Sequence, residues 1–264
     1  MLDLALITHG PDGLERVVRQ GLPRVPGVRY VVSWQGDAGR AVPAEIAARD
    51  DIEVHRCALS GLSNNRNNAI DRCRAELVLL ADNDVEYTPE GLLGVIDAFR
   101  EYPEADLLTF RSEPADCQYP AESVRLDRRL PRGYYAKSIE IAFRRERIGN
   151  LRMSPDLGLG SGRFEGGEDE AFLMTAIRRG LECRFVPLTV GVHAGESTGT
   201  KSRPSDANLR AAGVIVRLYY PVAFVWRLPL KAWRLRRRAG FFRALRLLLS
   251  GARAVRFLNL GEKL

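Results

Sequence analysis

Leu77-Val78-Leu79-Leu80-Ala81 runs directly into Asp82-Asn83-Asp84, and this stretch decides the fold reading. Five apolar residues in succession, without polar alternation, suit a short strand buried on both faces. Such a strand belongs to a parallel sheet covered by helices. The segments around it agree. Residues 2–8, 28–33, 52–57 and 106–110 read as further strands. Residues 13–20 form a helical pattern. Ser63 is a suitable N-cap for a helix over about 64–74. Thr88-Pro89 opens another, with Thr as cap and Pro at the first position, ending near Arg100. Strands alternating with helices indicate an α/β protein with a mostly parallel sheet flanked by helices.

Beyond Arg111 the rhythm breaks. Residues 112–133 are irregular and of mixed charge, as a loop over a site would be. Residues 137–143 read as a strand. Residues 154–167 carry Gly158, Gly160, Gly162, Gly166 and Gly167, too many for a regular element, and are expected to be mobile. Residues 168–179 form a helix with acids in the first turn, basic residues in the last and Gly180 as its stop. A strand over 183–192 ends at His193, a polar loop follows over 195–204, and the remainder is helical and amphipathic. No internal repeat is present.

The chain has 264 residues, 45 % of them hydrophobic, and a net charge of +7, enough for one sizeable α/β domain with an appendage. Cys57, Cys73, Cys117 and Cys183 include no CxxC pair, which argues against a disulfide framework or zinc knuckle and for reduced, mostly buried thiols. Residues 1–10 carry Asp3 and no basic cluster, and read as a first strand in place of a signal peptide. No apolar run reaches the length of a membrane span. The charge is unevenly distributed. Residues 217–264 hold twelve Lys or Arg against the single acid Glu262, a net of +11, so residues 1–216 carry −4. A basic body would suggest nucleic acid, which is not expected here. A basic, apolar tail suggests an anionic surface.

Several residues can carry chemistry. Asp82 and Asp84 lie where an open α/β sheet binds ligands, at the carboxyl end of a strand. Two carboxylates one residue apart can meet one hard cation. Alternatively the second binds metal while the first reaches a ribose hydroxyl, or the pair forms a polar β-turn. Gly61-Leu62-Ser63-Asn64-Asn65-Arg66-Asn67 is a polar helix start that suits phosphate. Arg66 adds a fork-shaped cation that can pair with a pyrophosphate, or is simply solvated. Glu168-Asp169 begin a helix just after Gly166-Gly167. They serve either the helix dipole, worth about 0.3–1 kcal/mol, or as a base, worth about 10²–10⁴-fold in rate. His193 is a solvated loop residue or a third metal ligand. An imidazole among oxygen ligands favours Mn²⁺ over Mg²⁺.

In this order the pieces resemble the GT-A-fold glycosyltransferases, most closely the bacterial family 2 enzymes. The resemblance rests on Thr8, Ser63-Asn64-Asn65-Arg66-Asn67, Asp82-Asn83-Asp84, Gly167-Glu168-Asp169 and His193, spanning about residues 3–200. Phe164-Glu165-Gly166-Gly167-Glu168-Asp169 also looks like the acceptor-side motif of β-1,4-galactosyltransferases, without the aromatic expected near Glu165. The resemblance implies a GT-A (Rossmann-like) domain over 1–205 and a basic amphipathic helical tail over 206–264. The domain would have a nucleotide-binding half over about 1–110 and an acceptor half over about 111–205. It implies inverting transfer from a nucleotide-sugar donor, a UDP-sugar first, to a glycan or glycolipid hydroxyl. Thr8, Arg66, Asn67, Asp82 and Asn83 would serve the donor, and Asp84, His193 and Asp82 the metal, Mn²⁺ or Mg²⁺. Asp169 would be the base, and Glu168 with Gly166 and Gly167 would hold the acceptor. The family often ends its second strand with an Asp that reads uracil. Here Ser33-Trp34-Gln35-Gly36-Asp37 stands there, so Gln35 or Asp37 would substitute and Trp34 would stack on the base or pack in the core.

The tail fits this picture. Phe241, Leu245, Leu248, Ala252 and Val255 follow helical spacing, with Arg243, Arg246, Arg253 and Arg256 on another face. That pattern suits a helix lying in an anionic bilayer interface, or one docked on the body or a partner. The expected location is the cytoplasm, peripherally on the inner face of the cell membrane, with envelope polysaccharide or glycolipid as acceptor class. Two competing classes are a sugar nucleotidyltransferase and a non-catalytic binding module. The first needs a Gly-rich phosphate loop after the first strand, which Thr8-His9-Gly10-Pro11-Asp12-Gly13 does not supply well. The second leaves Asp82, Asp84, Asp169 and His193 without a purpose.

Overall fold

The computed structural model describes residues 1–115, 117–193 and 204–258. It begins with β1 (Leu2–His9), α1 (Gly13–Gln20), β2 (Val28–Gln35), α2 (Ala44–Ala47), β3 (Ile52–Cys57) and α3 (Leu62–Arg72). Then come β4 (Leu77–Asp82), β5 (Val85–Tyr87), α4 (Pro89–Glu101), β6 (Leu107–Glu113), β7 (Val124–Leu126), β8 (Ile141–Arg144) and α5 (Arg145–Ile148). The chain continues through α6 (Glu168–Arg178), β9 (Cys183–His193), α7 (Asp206–Tyr219), α8 (Phe224–Ala239) and α9 (Phe241–Ala254). The expected loop over 195–204 lies, for residues 195–203, outside the described residues.

The strands form one sheet in the order β3-β2-β1-β4-β8-β6-β9-β5, with β7 also on β9. β3, β2, β1 and β4 are mutually parallel, so Cys57, Gln35, His9 and Asp82 end at one edge. β8 then inserts antiparallel between β4 and β6. β6 and β9 are parallel, while β5 and β7 run antiparallel to β9. The sheet is therefore mixed: parallel in the half that the sequence describes clearly, and largely antiparallel in the other, where only β6 and β9 pair in parallel. The fully buried Leu4, Leu6 and Leu79 pack with Trp34, Leu92 and Phe110 in the main core. Each such leucine contributes about 1.5–3 kcal/mol by burial.

Local chemistry sets several boundaries. The Thr88 Oγ1 accepts from the Gly91 N–H at 3.1 Å, and Pro89 takes the first helical turn of α4. Ser63 does not cap α3 as expected, because the helix already begins at Leu62. Its hydroxyl instead donates to the Leu157 carbonyl at 2.7 Å, and the Leu62 N–H donates to the Leu159 carbonyl at 2.8 Å. The glycine-rich segment expected to be mobile is thus tied down, with Leu157 and Phe164 bridged and buried. The strand expected over 137–143 is a 3₁₀ turn, Ser138–Glu140, followed by β8. All four cysteines are free; Cys57, Cys73 and Cys183 are buried, and burial pushes the Cys183 thiol up to about 12.

The chain divides into two compact units. The first comprises residues 1–60, 64–151 and 176–193, and holds the sheet. The second comprises residues 61–63 and 152–175 together with residues from 204 onwards. In the second unit α7, α8 and α9 share a core of their own, built on Leu209, Val216, Leu228, Ala232, Leu247 and Leu248. The apolar side of α9 is used here. Leu248, Ala252 and Val255 are buried, and Phe241 and Leu245 pack against the same cluster. The face expected to lie in a bilayer is therefore consumed by helix packing.

Two glycines let α7 and α9 approach backbone to backbone. A Cβ on Gly213 would stand 2.0 Å from the Leu248 carbonyl oxygen, and one on Gly251 would stand 1.9 Å from that of Arg210. Gly251→Val is expected to cost about 1–3 kcal/mol by forcing the helices apart. A thermal melt followed by circular dichroism would show this as a lowered midpoint; an unchanged midpoint would refute the close-contact account.

Candidate active site

The first group of candidate residues lies at the carboxyl edge of β1, β2 and β4. Asp82 ends β4 and Asn83-Asp84 turn into β5. Because β5 pairs antiparallel with β9 in the register Val85↔His193, Asp84 is brought opposite the end of β9. The His193 Nε2 lies 3.3 Å from the Asp84 Oδ2. Residues 109 positions apart in sequence meet because the three-residue strand β5 pairs with the end of β9. The Asp84 carboxyl is raised above the usual range, first by partial desolvation at the turn and then by the charge of Asp82, with His193 and Arg66 opposing.

Asp82 is held differently. Arg66, on α3, is 4 % exposed, and its guanidinium donates to both carboxylate oxygens of Asp82, at 3.0 and 3.3 Å. Thr8 is buried; its hydroxyl donates to the Gly13 carbonyl at 2.9 Å and accepts from the Asn83 amide at 2.8 Å. Thr8 thus fixes the turn between the two acids. Asn67 lies on α3, half-buried.

The end of β2 is arranged for internal contacts. Gln35 is buried and its amide donates to the Leu59 carbonyl, while Asp37 pairs with Arg56. Trp34 is 1 % exposed and its indole N–H donates to the Gly10 carbonyl at 2.7 Å. Trp34 is therefore a core residue, the second of the two readings that the sequence left open: β2 is covered on both faces, so the ring has no open side.

Residues to which the sequence reading gave no role of their own hold this edge together. The Gln20 amide on α1 donates to the carbonyls of Val85 and, at 3.3 Å, Asp82. The Asp82 N–H donates to the Tyr87 hydroxyl at 3.3 Å. Asn65, 2 % exposed, donates to the Thr8 carbonyl at 2.9 Å and accepts from the Ser33 hydroxyl at 2.6 Å; Asn68 donates to Ser33 at 2.7 Å. Asparagine is a poor helix former, so four of them at 64, 65, 67 and 68 in one helix were the available signal. Asn65→Ala removes two buried partners at once and is expected to cost about 1–3 kcal/mol. Urea unfolding would measure it, and a loss below that range would reduce the network to decoration.

The second group lies in the other unit. Gly166 and Gly167 have φ of +120° and +80°, left-handed values that glycine adopts readily. A Cβ on Gly167 would also stand 2.8 Å from Ile215, whereas one on Gly166 would meet nothing within 4 Å. Glu168 and Asp169 open α6. Glu168 is 6 % exposed, with its carboxyl and Ser63 both close to Gly158. Asp169 is half-buried.

A divalent cation fits the first group. Asp84 is exposed and offers carboxylate oxygens, and His193 offers an imidazole nitrogen beside it. Among the described residues no three His, Cys, Asp or Glu side chains converge into a cage. Mg²⁺ in particular needs no such cage, since it keeps waters and takes substrate phosphate oxygens.

Residues 37–153, somewhat under half the chain, match the family model for glycosyl transferase family 2. The match contains Asp37, Arg66, Asn67, Asp82, Asn83 and Asp84. Solved structures share the fold over nearly the whole chain. The S. aureus TarS 1-349 complex with UDP-GlcNAc aligns with TM-score 0.58 and 14 % identity over 95 % of this chain and 81 % of its own. The mannosyltransferase PcManGT from Pyrobaculum calidifontis, in complex with GDP-Man and Mn²⁺, aligns with TM-score 0.56 and 12 % identity over 96 % and 86 %. The chain has the GT-A fold, and its residues 37–153 are similar to glycosyl transferase family 2. Glucosyl-3-phosphoglycerate synthase from Mycobacterium tuberculosis, with Mg²⁺ and UDP, aligns with this chain at TM-score 0.54 and 15 % identity over 84 % of the chain and 78 % of its own. No curated protein matches this chain in sequence. Thr8, Gln35, Gly166–Asp169 and His193 lie outside the family match.

Proposed function

We propose that this protein is a glycosyltransferase that moves a sugar, with inversion, from a nucleoside-diphosphate donor to a hydroxyl of a glycan or glycolipid, at the cytoplasmic face of a membrane and in envelope polysaccharide synthesis. A UDP-sugar is the first candidate donor. The observation that carries the reading is the pairing of Asp84 with His193 beside the Arg66–Asp82 ion pair at the carboxyl edge of the parallel strands. Support also comes from the fold, whose relatives in solved structures hold UDP, UDP-GlcNAc or GDP-Man.

The chemistry follows from the leaving group. As the acceptor oxygen bonds to the anomeric carbon, the bond from that carbon to the diphosphate breaks and negative charge grows on the phosphate oxygens. A divalent cation held by Asp84 and His193, with Asp82 nearby, supplies electrostatic stabilisation of that charge when bound. Arg66 brings a fixed positive charge to the same edge. Asp169 takes the proton from the acceptor hydroxyl as attack proceeds. Glu168, with the open backbone at Gly166, holds the acceptor in the manner of the Gly-Gly-Glu-Asp motif.

Calorimetric titration of UDP, GDP, dTDP and CDP, each with and without Mn²⁺, tests the donor half. One nucleotide is expected to bind, and to bind more tightly with Mn²⁺. Failure of all four to bind would overturn the reading.

A further inference from the structure

The helix α8 has two apolar faces. Leu228, Ala232 and Ala239 point into the core shared with α7 and α9, with Leu235 partly buried beside them. On the opposite side, one helical stripe carries Trp226, Pro229, Leu230 and Trp233, spaced at i, i+3, i+4 and i+7. Trp226 is 68 % exposed, Leu230 48 % and Trp233 54 %. Exposed tryptophans paired at this spacing mark a binding surface.

Its surroundings name the partner. Arg237 continues the stripe by one turn, and Arg234 and Arg236 flank it. The Arg236 guanidinium lies 4.0 Å over the Trp233 ring, and that of Arg227 lies 3.5 Å over Tyr220. Just past the stripe, Arg237 and Arg238 line a cleft of about 370 Å³ with Gly240 and with Arg243, which is paired with Asp206. No acidic residue occurs between Arg217 and Leu258. The matching surface must therefore be apolar in its middle and anionic at its margins. A second copy of this helix would set arginine against arginine. A bilayer rich in anionic lipid meets both demands: tryptophan favours the interface between headgroups and acyl chains, and arginines beside it meet phosphates.

We infer that α8, through Trp226, Leu230 and Trp233 and the arginines around them, docks this protein on an anionic bilayer, with a lipid headgroup in the cleft at Arg237 and Arg238. This deepens the membrane location proposed above by assigning the surface to α8, since the apolar face of α9 is spent on packing.

The test uses the full chain with vesicles of phosphatidylcholine, alone or mixed with phosphatidylglycerol. Of the three tryptophans, Trp34 is in the core, so emission changes on adding vesicles report on Trp226 and Trp233. The expected results are a blue shift and co-flotation with the mixed vesicles only. The double variant W226S/W233S should lose flotation by about tenfold or more, and R236E/R237E should lose the preference for anionic lipid. A cooperative melt matching the parent shows that each variant is folded. UDP titration in parallel separates a failure of the donor site from a failure of this surface. Flotation unaltered in W226S/W233S, absence of any shift in the folded parent, or a shift that follows protein concentration without vesicles would overturn the proposal.

Discussion

Asp169→Asn is expected to slow sugar transfer by about 10²–10⁴-fold while leaving nucleotide affinity where it was. The substitution preserves size and removes only the charge that would accept the acceptor proton. Asp169 stands in the first turn of α6 behind Gly166 and Gly167, so the fold should tolerate the amide. Single-turnover transfer of a radiolabelled sugar gives the rate, and calorimetry gives the donor affinity. Unchanged turnover would reject Asp169 as the base. Joint loss of rate and donor binding would instead point to a structural role for the first turn of α6.

The second large effect is expected at Asp84→Ala. This carboxylate meets His193 through the β5–β9 register, and it is the most exposed acid of the group. Its removal should lower Mn²⁺-supported nucleotide affinity by about 100-fold or more, with little change in affinity measured in the presence of a chelator. His193→Ala should move the same quantity in the same direction by a smaller factor. If Mn²⁺ strengthens nucleotide binding equally in the parent and in Asp84→Ala, the metal lies elsewhere.

Much of the parallel half of the sheet was legible because local and long-range preferences agree there. The strand at 52–57, the helix at 13–20 and the Thr88-Pro89 cap all follow from short-range rules. The other half was not. That β8 inserts antiparallel beside β4 depends on pairings between distant segments, which periodicity does not record. Ser63 looked like a cap because serine before a polar helix usually is one; its actual partner, Leu157, lies far along the chain. Trp34 could be read two ways from sequence, and burial on both faces of β2 decides for the core. The apolar spacing of α9 was visible, but not that α7 and α8 would cover it. At the site, acids after an apolar run identify a sheet edge, whereas the clamps by Gln20, Asn65 and Tyr87 depend on three-dimensional neighbours.

The Arg66–Asp82 pair also sets a rule for how ligands can arrive. Arg66 is almost wholly enclosed, so weakening its pairing with Asp82 is costly. A cation that drew on Asp82 would weaken this pair and leave more of the Arg66 charge for a diphosphate, and a diphosphate drawn to Arg66 would leave more of Asp82 for a cation. Binding of the two is then a thermodynamic linkage, in which each raises the affinity for the other by the same factor. The donor-free protein would act as a coincidence detector, answering metal or nucleotide alone weakly and the pair strongly.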